Sequence, residues 1–189
     1  MKVLIPESIN DITLGKYQKY FKLQERTDID AYGFDKRKIE IFCGVAFQEV
    51  DKISIEDLKS ISEAIDLALN QTVAFTPTFN LYGIKMGMIP NFEKDKVTAK
   101  EYVDMTSYSG DVENLHKLMA ILFRPITKED LTGYKIAEYK GTEEYANVMK
   151  SMPLSIVNSS LVFFSNLASE LEEHIQRFIV AEQKKEVKL

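Results

Sequence analysis

The run Leu154-Ser-Ile-Val-Asn-Ser-Ser-Leu-Val-Phe-Phe-Ser-Asn-Leu-Ala-Ser-Glu-Leu-Glu-Glu-His-Ile-Gln-Arg-Phe178 organises the chain. Its apolar residues Leu154, Val157, Leu161, Phe164, Ala168, Leu171, Ile175 and Phe178 follow one another at steps of three and four. That spacing keeps one stripe of an α-helix against one partner surface. Pro153 precedes it, where a first helical residue needs no N–H. No Gly or Pro follows to stop the helix, so it is expected to run into the charged tail, Gln183 to Lys188. Roughly 30 helical residues reach about 45 Å, longer than a small core. The first half of the stripe is expected to be core. Leu171, Ile175, Phe178 and Ile179 are expected to reach past it and to bind a partner. The stripe also fits a coiled-coil seam for about three heptads. Val162 and Phe163 widen it, which favours a core helix of one domain. Asn158, Ser159, Ser160, Ser165 and Asn166 interrupt the run, so a membrane span is not expected.

Upstream, the helical signals are local and chemical. Val3 to Ile5 reads as a short strand or extended arm. Thr13 caps a helix carrying Leu14, Tyr17, Tyr20 and Phe21, with Ile12 as the outer half of a hydrophobic staple. A second helix is expected from about Asp35, with Ile39, Phe42 and Cys43 on one side and Gly44 ending it. Val45 to Val50 continues as a short helix. Ser54 caps the next, with Glu56 and Asp57 in its first turn and Leu58, Ile61, Ile65 and Leu69 as its buried stripe. From Thr72 to Ile89 helical periodicity is lost. Tyr82-Gly83 is a two-residue turn between strands holding Phe79, Leu81, Ile84, Met86 and Met88. Pro77 marks an edge strand, and Gly87 a bulge or a close approach. Such a hairpin is marginal alone. It must lie on the helices, join the N-terminal arm or pair with another chain.

After Pro90-Asn91, Thr98 and Glu101 form a capping box for a helix carrying Tyr102, Val103 and Met105. Asp111 caps the next helix, whose face is Leu115, Leu118, Met119, Leu122 and Phe123; Pro125 ends it through its effect on the preceding residue. Tyr134 to Tyr139 is a short strand candidate. Thr142 caps another helix, with Tyr145, Val148, Met149 and Met152 apolar. The fold class is therefore mainly α, in the α+β sense: a helical domain with a small hairpin or sheet and a long C-terminal helix. The 189 residues are expected to form a single domain, with sub-lobes at 1–71, 72–92 and 93–189.

Composition excludes some functions. The net charge is −5, and Lys36, Arg37 and Lys38 are bracketed by Asp35 and Glu40. Nucleic acid and anionic membrane are thus poor partners. The single cysteine rules out an internal disulfide and fits a reducing cytoplasm. Met1 to Pro6 is too short for a signal-peptide core.

Candidate chemistry is sparse. Glu170 and His174, four apart, share a helix face and form at most a two-ligand metal site; a solvated face is the plainer reading. Cys43 in Ile-Phe-Cys-Gly-Val reads as a structural cysteine and not as a nucleophile paired with His116. Arg124 reads as a cation at a helix C-terminus. There is no phosphate loop and no hydrolase motif. No catalytic, cofactor or metal residue is assigned.

Two passages carry a resemblance. Ile39-Glu-Ile-Phe-Cys-Gly-Val45, continued through Val50, Ile53 and Asp57-Leu58 to Ile61, resembles helical assembly proteins of tailed bacteriophages, notably the tail assembly chaperone type. Leu115-His-Lys-Leu-Met-Ala-Ile-Leu-Phe-Arg-Pro-Ile126 is similar to a run in phage structural-module proteins. The resemblance implies non-catalytic work in the host cytoplasm, with other phage structural proteins as partners and a homo-oligomer possible. A chaperone of this type covers apolar helical stretches of the tape-measure protein while the tail grows. The alternative it implies is a permanent virion subunit, such as a head–tail ring, adaptor or baseplate component, whose hairpin adds to a neighbour's sheet.

Overall fold

Side-chain caps set four of the α-helix starts in the computed structural model, which describes residues 3–89 and 97–165. The Thr13 hydroxyl accepts the Lys16 N–H at 3.4 Å and opens α1 (Leu14–Gln24). Asp30 accepts the Gly33 N–H at 2.8 Å and opens α2 (Ala31–Cys43). That start is earlier than the one expected near Asp35, because an Asp cap outweighs a glycine in the first turn. Gly44 ends α2 in the left-handed region, φ 69°. Helix α3 (Phe47–Val50) is a single turn, and Ser54 caps α4 (Ile55–Leu69) through the Asp57 N–H at 3.1 Å.

The expected hairpin is present as β1 (Thr78–Leu81) and β2 (Ile84–Met88), with Tyr82 at φ 51° and Gly83 at φ 81°. Two positive φ values match the right-handed twist of the flanking strands. Tyr82 is held there by its hydroxyl, which donates to Ser151 Oγ at 2.7 Å. Helix α5 (Ala99–Tyr108) opens on the full Thr98–Glu101 capping box. A 3-10 turn capped by Asp111 leads into α6 (Leu115–Leu122).

Here the structure departs from the sequence reading. Helix α6 stops at Leu122, and Phe123 is the first residue of β3 (Phe123–Asp130), which turns back as β4 (Gly133–Ile136). The four strands form one antiparallel sheet in the order β1-β2-β3-β4. The hairpin therefore pairs with β3, through Met88↔Phe123 and Gly87↔Arg124, and not with the N-terminal arm, which is non-strand. Pro125 biases Arg124 toward extended backbone, so the strand starts where a helix face seemed to continue. The proline sits beside a register shift at Ile126–Lys128, where a missing N–H is tolerated. Gly87 is a close approach, since a Cβ there would lie 2.6 Å from the Tyr134 ring.

Helix α7 (Ala146–Met149) starts later than the cap expected at Thr142; that residue gives its backbone carbonyl to the Tyr145 and Ala146 N–H groups instead. The final helix, α8, occupies 154–165 of the described residues. Its root is tied to the start of α1. Leu14 N–H donates to Met152 O at 2.9 Å and Leu154 N–H to Ile12 O at 2.8 Å. One hydrophobic cluster joins these parts, with Ile12, Ile39, Ile65, Met119, Phe123 and Val157 each fully covered.

Candidate protein-interaction surface

The first half of the α8 stripe is core, as its spacing requires: Leu154 and Val157 are buried. Leu161 and Phe164 are only partly covered. The two residues read as widening that stripe point outward instead. Val162 is 63% exposed and Phe163 39%. At 100° per residue they lie off the buried line. Phe163 stacks on Phe75, with ring centroids 4.5 Å apart and planes 5° from parallel. Together with Val73 and Gln71 they line an open trough of about 400 Å³. Leu171, Ile175, Phe178, Ile179, Glu170 and His174 lie outside the described residues.

A second open trough of about 630 Å³ meets the first at Gln71. Its walls are the arm residues Leu4, Ile5 and Pro6 and, on α4, Ala64 and Leu67. Leu4 and Leu67 are each 73% exposed. The sequence held a signal for Leu67: it falls outside the Leu58–Ile61–Ile65 spacing, so the face that buries those three must turn it to solvent.

The polar clusters hold the frame. Lys38 is buried between α2 and α4; its ammonium pairs with Asp66 at 2.5 Å and donates to Ser62 Oγ at 3.1 Å. Ser62 in turn donates to Asp35 at 2.7 Å. A lysine beside a serine suggests nucleophilic catalysis, but that needs a neutral amine to take the hydroxyl proton. Here the amine donates to the serine and is ion-paired with Asp66, and the hydroxyl proton is engaged by Asp35. Lys36 is similarly buried, pairing with Asp51 at 2.5 Å over the Phe47 ring, and those hydrogen bonds pull the Asp51 carboxyl below its usual range. Two of the three basic residues bracketed by Asp35 and Glu40 are thus buried in ion pairs.

Arg124 corrects another expectation. It is a buried strand residue, not a helix-end cation, and its guanidinium pairs with Glu101 at 2.7 Å. Its Nε has no hydrogen-bond partner among the described residues. Beside it, burial and a 2.6 Å hydrogen bond to Asp104 push the Tyr139 hydroxyl well above its ordinary pKa. Cys43 is half-buried, and burial raises its thiol pKa, away from the reactive thiolate. No hydrogen bond joins it to His116, whose ring meets Gln18.

Comparison with protein-family models, curated proteins and solved structures gives no match for this chain. Among the described residues no group of three or more His, Cys, Asp or Glu side chains is placed to hold a metal ion. Among the same residues no helix is long and apolar enough to cross a membrane. What the described surface offers is exposed apolar area on the outward flank of α8 and along α4.

Proposed function

We propose that this chain is a non-catalytic bacteriophage assembly protein of the tail assembly chaperone type. It acts in the host cytoplasm by covering apolar helical segments of a tape-measure or other tail protein. The supporting observation is the outward pair Val162 and Phe163, backed by Phe75, on the flank of a helix whose other flank is core. A helix anchored on one side and apolar on the other is half of a helix-in-groove contact. The stripe that is core at Leu154 and Val157 continues in sequence through Leu171, Ile175 and Phe178. No cofactor, nucleic acid or lipid enters this reading.

Copurification from cells making this chain and the tape-measure protein of the same phage tests it. The wild-type chain should retain the tape-measure protein. Val162→Asp/Phe163→Asp should lose it with the circular dichroism spectrum unchanged, because Val162 lies mostly in water and Phe163 gives up only its stack on Phe75. Retention by the double variant would overturn the binding face. Absence of any complex with the wild type would overturn the chaperone role. The second reading, a permanent virion subunit, is favoured by the projecting β3–β4 arm. Mass spectrometry of purified virions distinguishes it, since a chaperone is missing from the particle and a subunit is present in stoichiometric amount.

A further inference from the structure

The antiparallel β3–β4 pair projects as an arm and closes in the two-residue turn Leu131-Thr132. From Thr127 through Gly133 every residue is exposed, and at the tip stands Leu131, fully in solvent. The tip is preorganised. Asp130 Oδ1 accepts the Thr132 N–H at 2.9 Å and its hydroxyl at 2.5 Å. The leucine is therefore presented on a fixed turn. Four residues of strand carry it about 13 Å beyond Ile126. Behind it Lys128 and Lys135 are direct cross-strand neighbours. Like charges so placed destabilise a strand pair. Neither has an ion pair among the described residues: Glu129 is engaged by Lys85 on β2, and Asp130 by the turn.

Elsewhere on the chain is a surface of opposite character. The trough of Leu4, Ile5 and Leu67 has Glu7 in its wall, and Glu63 lies one helical turn before Leu67. Neither carboxylate has an ion pair among the described residues. We propose that a second copy of this chain occupies the trough: Leu131 of one copy inserts between the arm and α4 of the next, and Lys128 and Lys135 meet Glu7 and Glu63. Knob and hole are different surfaces of one molecule, so the contact is heterologous and can propagate from copy to copy. It uses neither Val162 nor Phe163, and stands independently of the proposed partner face.

Sedimentation velocity on the full chain tests this, with four samples at concentrations on the order of 100 µM. The wild type should self-associate, more weakly as salt rises, because the flanking charges are solvent-exposed. Leu131→Asp and Leu67→Asp should each weaken association by about tenfold or more while leaving the fold intact, since both side chains are already exposed. An equimolar mixture of the two variants should recover a dimer and nothing larger, because one copy keeps its hole and the other its knob. A monomeric wild type would overturn the proposal, as would variants that associate like the wild type or a mixture that stays monomeric. Loss with Leu67→Asp but not with Leu131→Asp would show that the trough takes a different segment, and would overturn the arm as its occupant.

Discussion

His116 shows how one buried side chain makes stability depend on pH. It lies at the start of α6, and the Gln18 side chain on α1 reaches across to it. Gln18 Nε2 donates toward Val112 O at 2.7 Å and Glu113 O at 2.9 Å, which fixes the amide with its NH2 toward His116 Nδ1 at 3.1 Å. Burial lowers the His116 pKa, and Lys150 and Lys117 lower it further, against smaller opposing effects of the Glu113 backbone and Asp111. The unfolded chain has the ordinary value, 6.5, so between that pH and the lower folded value it binds the proton more readily than the native state. The contribution is complete above pH 6.5 and lost as pH falls through the folded pKa. Urea titrations from pH 7.5 down to 5 should show a falling midpoint in the wild type. In His116→Gln the slope from this group should vanish. An unchanged slope in the variant would assign the acid sensitivity elsewhere.

At the scale of elements, the join between α5 and β3 rests on one carboxylate used twice. Glu101 Oε2 accepts the Thr98 N–H at 2.7 Å to close the cap of α5, and Oε1 pairs with Arg124 of β3. Both partners are more than nine-tenths buried, so removing either leaves a charge that neither water nor protein compensates. Arg124→Met and Glu101→Gln should each cost about 3–5 kcal/mol in chemical denaturation. The Gln variant keeps an oxygen for the cap. Combined, the two changes should cost clearly less than their sum, since no buried charge is left alone; additive losses would show that the pair is not coupled. The Thr98–Glu101 box was legible in sequence because both partners are local, and so were the Tyr82-Gly83 turn and the tight spot at Gly87. The Arg124 pairing was not, because nothing near it in sequence reveals a partner on α5. Strand β3 was hidden for a related reason. Leu118 to Phe123 has helical spacing, and only the Met88↔Phe123 pairing across the fold decides that the last of these residues is extended. The candidate surface was half legible: Leu67 breaks its helix's stripe, whereas Val162 and Phe163 adjoin theirs and read as part of it.

For the whole molecule, the decisive contact is where the chain's two halves interlock. The backbone at Thr13 bridges that at Pro153, and Gly15 N–H donates to Lys150 O at 2.7 Å. A Cβ on Gly15 would sit 3.0 Å from that carbonyl oxygen. The root of α8 is thus fastened to the root of α1, and Leu154 enters the same cluster as Ile12, Leu14 and Phe42. That cluster also takes Met86 and Met88 from the sheet and Met119 from α6, so the described residues on both sides of the hairpin share one core. The physical consequence is cooperative unfolding, because neither half keeps its apolar surface covered without the other. Leu154→Ala should cost about 2–5 kcal/mol. The loss should appear equally in amide protons of α2, β2 and α6 that exchange by global opening, although only α8 carries the change. Native-state hydrogen exchange reads each segment separately. Protection lost in the second half alone, with α2 and α4 unaffected, would divide the chain into two folding units. Uniform loss would mean that the exposed flank of α8 is held in place by the whole core, which is what a helix needs if it is to press apolar side chains against a partner without unravelling.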